Sequence, residues 1–547
     1  MTELQERKSV EDATVEKPEA VLTVEAEERK ELESEPPVFG GTFAGKNAAK
    51  KELVTSLKLV GPVMISNIIA LANNIMNTAF MGRVGTNELS AAALGVMLVN
   101  VTGNSFVSGI CTALDTLCSQ AHGANCPRRV GVLMNRGIFV VSVLAVVMAI
   151  LWGFAVQPLL ELMGQEHVVA LLAQIFTRYM IIGILPLFWF EAVRRTLAAS
   201  GVAYPQAIAS LISVLTVLLF EFLFVNVLHL GVEGSAVALS LGYWAQFISC
   251  LLIARTSPVW RTHTTRFTRE VLHELVPFMK LAIPGCVMVC AEWWAFEIAQ
   301  ILAGTISAKT LSALSILMQL SHVLFQIPFS FATACSSRVG NHLGNGDALL
   351  ARTACALLFG LSTLCEIVYL IAFFFAGPHI GKIFTHDPDV LRIIEDSCVY
   401  TTIVALFDGC QGCLSGILRG AGKQGYGAIV NLVSFYVVGL PLEFVFVYTL
   451  RPILQSIYLG LLASPTFQVC LFIGRVVSLP WDRLAVEISA RERRFKTQAM
   501  ELMCPMNSHA VPLELTYMDD EWGETVVVDV TPPPPHQSDS SELYSRL

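Results

Sequence analysis

Long apolar runs recur along the chain, at 56–81, 89–117, 131–155, 173–192, 205–228, 232–254, 277–303, 311–335, 352–376, 393–418, 426–450 and 454–478. Each reaches the roughly 17–25 residues a helix needs to cross a bilayer. The pattern predicts an all-α polytopic membrane protein of twelve transmembrane helices. The twelfth is the weakest, because it contains Pro465. Polar positions between the runs predict orientation. With a cytosolic N-terminus, that side collects Arg128, Arg129, Arg136, Arg194, Arg195, Arg255, Arg261, Arg338, Arg352 and Arg419, and a basic group from Arg475 to Lys496. The opposite side holds Arg83, Arg178, Lys309, Lys382, Arg392 and Arg451. Positive charge concentrates on the cytosolic face of membrane proteins, so both termini are expected there, in the plasma membrane or a vacuolar or other endomembrane.

Composition agrees. The 547 residues are 54% hydrophobic and 15% charged, with mean hydropathy +0.61, against about 25% charged in soluble domains. Residues 1–38 hold twelve Asp or Glu against five Lys or Arg. Such a segment buries too little apolar surface to fold, so 1–50 is expected to be an acidic disordered cytoplasmic tail. No cleavable leader is expected, since the first fifty residues lack an apolar core. Residues 481–547 are expected to be a second disordered tail, polar and rich in Pro and Ser. Its last four residues, Tyr544-Ser545-Arg546-Leu547, fit a signal read by sorting machinery. The cysteines lie mostly inside apolar runs, which argues against a disulfide framework; the CxxC spacing of Cys410 and Cys413 falls within a helix and reads as small packing residues.

The halves match each other at a spacing of about 221. Thr112–Thr116 followed by Gly123 aligns with Thr333–Ser337 and Gly344, Gly201 with Gly422, and, one residue further apart, Glu221 with Glu443 and Pro62 with Pro284. Six helices per half keep equivalent helices in one orientation, so the repeat is parallel about an axis along the membrane normal. The expected domains are an N-lobe (51–254, helices 1–6), a cytoplasmic linker (255–280) and a C-lobe (281–480, helices 7–12). Glu221 and Glu443 read as inter-helix polar contacts.

One run carries two acids. Glu292 and Glu297 are the formal charges between Lys280 and Lys309. A carboxylate at a bilayer centre costs roughly 2.5–3.5 kcal/mol on insertion scales, which marks both as functional candidates. Five residues apart, they lie about 140° around a helix from each other, so one faces the C-lobe cavity and the other is held by neighbours. Asp408 opens a stripe of small residues through Gly409, Gly412, Cys413, Gly416 and Gly420, which lets its helix approach others closely. Trp293, Trp294, Phe296 and Phe329 are candidate cation–π walls. Asp115, beside Arg128 and Arg129, is expected to form a closing salt bridge; Glu191 and Glu366 have no assigned role. No nucleotide-binding, protease, esterase or nucleic-acid motif is present. Neither enzyme chemistry, ATP drive, a metal nor a cofactor is expected.

Several segments resemble the multidrug and toxin extrusion (MATE) family. Gly109–Ala124 (GICTALDTLCSQAHGA) resembles the signature after helix 2, and Arg338–Asp347 (RVGNHLGNGD) its counterpart after helix 8. Glu292-Trp293-Trp294 with Glu297, Leu418–Gln424 (LRGAGKQ) and Tyr436–Pro441 (YVVGLP) resemble the eukaryotic branch. The resemblance implies two six-helix lobes and proton-coupled export of organic, often cationic, compounds by rocking of the lobes, without nucleic acid or ATP. It implies that Glu292, Glu297 and Asp408 handle protons and substrate. Two departures stand out. Some animal members carry a glutamate where this chain has Thr310, and bacterial members place an acid in helix 1, where this chain has Asn67, Asn73, Asn74 and Asn77. The other readings are a sodium-coupled exporter and a lipid-linked oligosaccharide flippase. Helices 1, 7 and 10 carry almost no Lys or Arg, which disfavours a phosphate-bearing cargo.

Overall fold

The computed structural model describes residues 44–385, 387–450, 453–503, 516–519 and 524–527. The acidic segment before residue 44 and the terminal Tyr544–Leu547 signal lie outside the described residues. Twelve long helices follow in order: α1 Lys46–Val84, α2 Thr86–Gly123, α3 Pro127–Phe154, α4 His167–Ala199, α5 Tyr204–Val227, α6 Gly231–Ala254, α7 Leu275–Ile306, α8 Ala308–Asn345, α9 Ala348–Phe384, α10 Pro388–Gly420, α11 Gln424–Thr449 and α12 Ile453–Val477. Their ends follow local chemistry. Ser307 caps α8 by accepting from Thr310 N at 3.0 Å, and Asp387 caps α10 by accepting from Asp389 N at 2.9 Å, satisfying donors that helix starts leave free. Thr310 thus sits in a helix cap, where an acid is expected in some animal relatives.

Among the described residues, eleven helices are long and apolar enough to cross a membrane, not the twelve expected. The exception is α10. It is long enough, but Arg392, Glu395, Asp396, Asp408 and Arg419 and its many Gly, Ser and Thr residues dilute its hydropathy. It packs against α8, α9 and α12, with Arg419 buried and Asp408 half-buried, whereas Arg392, Glu395 and Asp396 near its start are exposed. Lipid-facing surfaces carry exposed aliphatic and aromatic side chains such as Val146, Ile150, Leu219, Val368, Phe375 and Val437.

The repeat is visible in the backbone. Gly201 and Gly422 end α4 and α10 with φ of +77° and +70°, a region open to glycine at little cost. The closing bonds match: Gly201 N donates to Ala198 O and Gly422 N to Arg419 O, while Val202 N donates to Leu197 O and Lys423 N to Leu418 O. Each lobe also lends the start of its first helix to the other. Leu59, Val60 and Val63 of α1 join the core of α8–α12, and Phe278 and Ala282 of α7 join that of α2–α6.

The lobes are closed at the end where α2, α4, α8 and α10 terminate. Gln120 donates to Gly420 O at 2.9 Å, Thr116 to Arg419 O at 2.6 Å and Ser337 to Ala198 O at 2.8 Å. Arg338 forks onto Glu52, at 2.8 and 2.5 Å, and His342 Nε2 lies 2.9 Å from Glu52 Oε2. Gly123 backs onto the main chain of Asn341, and Gly344 onto that of Gln120, with no room for a side chain. Gly344→Leu is therefore expected to hold this end open, widening the distance between spin labels on the ends of α2 and α8; an unchanged distance distribution would contradict the packing.

Residue 481 does not begin an unstructured tail. A further helix, α13, runs Trp481–Met503. Its apolar stripe, Trp481, Leu484, Ala485 and Ile488, has helical spacing and joins the core of the second lobe. Beyond that stripe Arg491 donates to Gln120 Oε1 at 2.7 Å, and the fully buried Glu492 pairs with Arg129 at 2.8 Å. These contacts tie the helix to α2 and α3 across the closed end. The segment Arg494–Leu547 forms a separate unit. In it, Thr516–Asp519 pairs antiparallel with Glu524–Val527, with Thr516 opposite Val527.

Candidate functional site

Helices α7, α8 and α10 of the second lobe and α2 and α4 of the first bound a narrow crevice. Glu292, Trp293, Phe325, Phe329, Gly412 and Arg419 are among its lining residues. Small residues bring these helices together. The main chain of Ala332 fills the space beside Gly416, and that of Ser336 the space beside Gly420, so the small-residue stripe after Asp408 presses α10 against α8.

Glu292 and Asp408 meet through one side chain that the sequence did not flag. Gln411 is fully buried on α10. Its Nε2 donates to Asp408 Oδ1 at 3.2 Å, and the same side chain lies near Glu292. The buried Gln411 Oε1 has no partner. A third acid stands close by: Glu366 of α9 is fully buried, accepts from Ser362 Oγ at 2.8 Å, and has its carboxyl against Gly409, next to Asp408. Cys410 contributes its thiol to Glu366 Oε2 at 3.7 Å, and Cys413 lies 3.4 Å from Cys335, all as free cysteines.

The other candidates divide. Trp293 and Phe329 line the crevice, but the face of Phe329 is already covered by the Arg195 guanidinium, 6.0 Å from the ring centroid. Trp294 packs instead on α2, its Nε1 donating to Val101 O at 3.2 Å and its ring 5.8 Å from Phe106. Phe296 packs on Phe435 of α11, centroids 6.2 Å apart. Glu297 is half-buried and is not among the crevice-lining residues.

Asp115 does not bridge to Arg128 or Arg129. It pairs with Arg195 Nη1 at 2.5 Å. Arg195 Nε also donates to Glu191 at 2.7 Å and Nη2 to Ser108 Oγ at 2.7 Å, while Arg194 pairs with Glu191 from the other side. Arg128 turns to Glu270, at 2.6 Å. Arg195 and Arg419 thus stand in the crevice wall, although α1 and α7 supply no such charge there. Two acids match the charge of Arg195, whereas the buried Arg419 Nε has no partner.

Comparison with known proteins agrees with this architecture. The family model MatE matches twice, at residues 62–223 and 284–445, one match per lobe. The chain is 32% identical over 446 residues to multidrug and toxin extrusion protein 1 of Danio rerio, covering 81% of this chain and 75% of that protein. It is 31% identical over 444 residues to protein DETOXIFICATION 17 of Arabidopsis thaliana, covering 81% and 93%. The crystal structure of the eukaryotic MATE transporter AtDTX14 superposes with a TM-score of 0.77 at 26% identity, covering 81% of this chain and all of that one. A doubled MatE match, a two-lobed helical membrane fold and relatives from animals and plants place the chain in the MATE family of membrane efflux transporters.

Proposed function

We propose that the chain is a proton-coupled antiporter that exports organic cations, with Glu292, Gln411 and Asp408 as its exchange site. The observation that carries this reading is the buried Gln411 amide. Its NH₂ group donates to Asp408 beside Glu292 of α7, and its oxygen lacks a donor. Protonating either acid supplies an O–H for that oxygen and removes the repulsion between the two carboxylates. A cation in the crevice satisfies the ionised form instead. Proton and cargo then compete for one charge, which couples their opposite fluxes.

The closed end brings together the signature segments of α2 and α8. Export needs these contacts to break as the lobes rock, so the present conformation is read as open to the outer side. Because Asp115 and Glu191 match the charge of Arg195, the wall does not repel a cation there. The unpartnered Arg419 Nε favours a second reading, an acidic or zwitterionic cargo that pairs with Arg419.

Reconstituted protein in liposomes, given a fluorescent organic cation and an imposed pH gradient, is expected to drive uptake that a sodium gradient of equal size does not. Uptake of a fluorescent organic anion but not the cation would favour the second reading. Uptake driven by sodium alone would overturn proton coupling.

A further inference from the structure

Glu221 of α5 and Glu443 of α11 keep the offset of Pro62 and Pro284, which open the two family-model matches. Both acids are fully buried. Their surroundings differ. Glu221 Oε1 accepts from Asn77 Nδ2 of α1 at 3.2 Å and from Ser235 Oγ of α6 at 2.7 Å. Neither oxygen of Glu443 has a hydrogen-bond partner among the described residues.

The repeat explains the difference. At the same offset, Ala299 stands for Asn77 and Ile457 for Ser235. Both are fully buried, in one apolar core with Val447, one turn beyond Glu443. The equivalence is structural as well. Gly242 of α6 meets Val217 of α5 in the first lobe, and at the matching positions Gly439 of α11 meets Ser464 of α12 in the second. Close by, Gly460 of α12 backs directly onto the Glu443 main chain. The second lobe has kept the acid and lost its donors.

An ionised carboxylate without donors in such a place is far costlier than the neutral acid. The titratable groups on the packed elements are Tyr458, Cys470 and Arg475 of α12, Tyr426, Tyr436 and Tyr448 of α11, and Lys280, Cys286, Cys290, Glu292 and Glu297 of α7; none is bonded to Glu443. We propose that Glu443 is a proton-binding site of the second lobe, loaded in this conformation and separate from the Glu292–Gln411–Asp408 group. The site does not depend on what drives transport.

The test is infrared spectroscopy of the full chain in lipid bilayers, wild type minus Glu443→Gln, at neutral pH. Glutamine keeps the shape without a charge, so the variant is expected to fold, which its melting temperature checks. The expected difference is a protonated-carboxyl C=O band that shifts in D₂O. Loss of a carboxylate stretch instead would overturn the proposal. The double variant Ala299→Asn, Ile457→Ser restores the first lobe's donors and is expected to make the band disappear at lower pH than in wild type. A band that titrates unchanged in a folded double variant would refute the missing-donor explanation, and if the graft does not fold, the Glu443→Gln difference alone decides.

Discussion

Glu292→Gln is expected to abolish pH-gradient-driven uptake, lowering it by about a hundredfold, equivalent to about 2.7 kcal/mol of lost driving interaction. The variant keeps the volume of the side chain but can neither ionise for a cation nor carry an exchangeable proton. Asp408→Asn is expected to do the same, because Asp408 accepts from the Gln411 amide that lies near Glu292. Glu297→Gln provides the contrast. Its side chain lies outside the crevice lining, and uptake is expected to stay within about threefold of wild type, a difference of under 1 kcal/mol. The measurement is initial uptake into proteoliposomes with equal amounts of folded protein. Full activity in both Glu292→Gln and Asp408→Asn would remove the proposed exchange site while leaving the family assignment intact. A severe loss in Glu297→Gln would move the site outward along α7.

Arg195→Ala is expected to be the most destabilising single change at the crevice. Arg195 is 2% exposed and binds Asp115, Glu191 and Ser108. Its removal leaves the buried Asp115 without its counter-charge, while Glu191 keeps Arg194 alone. Breaking a buried ion pair from one side costs about 3–5 kcal/mol, enough to unfold a marginal protein. Size-exclusion profiles after graded heating are expected to show a lower melting temperature and less folded protein. Asp115→Asn leaves Glu191 to balance Arg195 and is expected to cost less. Additive effects in the Arg195→Ala, Asp115→Asn cycle would mean that the pair is not coupled. A melting temperature in Arg195→Ala equal to that of wild type would mean that the network is solvated in the native protein.

Much of this molecule was legible in its sequence. Apolar runs must become helices in a bilayer, because every main-chain polar group has to be satisfied within its own segment. Their number and the repeated glycines therefore set two six-helix lobes, and the acids of α7 and α10 stood out against an apolar background. The helix count shows where that rule weakens. Hydropathy measures a segment against lipid, and α10 turns only part of its surface outward, packing the rest against α8, α9 and α12. The helix beginning at Trp481 was missed because the high charge of the segment hid four apolar residues on one face.

Local pattern alone determined the membrane class, the duplication and the candidacy of Glu292 and Asp408, since burial of charge is visible one segment at a time. Partners were another matter, because they come from residues far apart in the chain. Only the tertiary structure decided that Gln411 joins the two acids, that Asp115 belongs to Arg195, that Trp294, Phe296 and Glu297 lie off the crevice, and that Glu221 has donors while Glu443 has none. Hydrogen bonds and ion pairs depend on ångström separations between helices, and those are set by packing at glycine and serine positions, not by the hydropathy of any one helix.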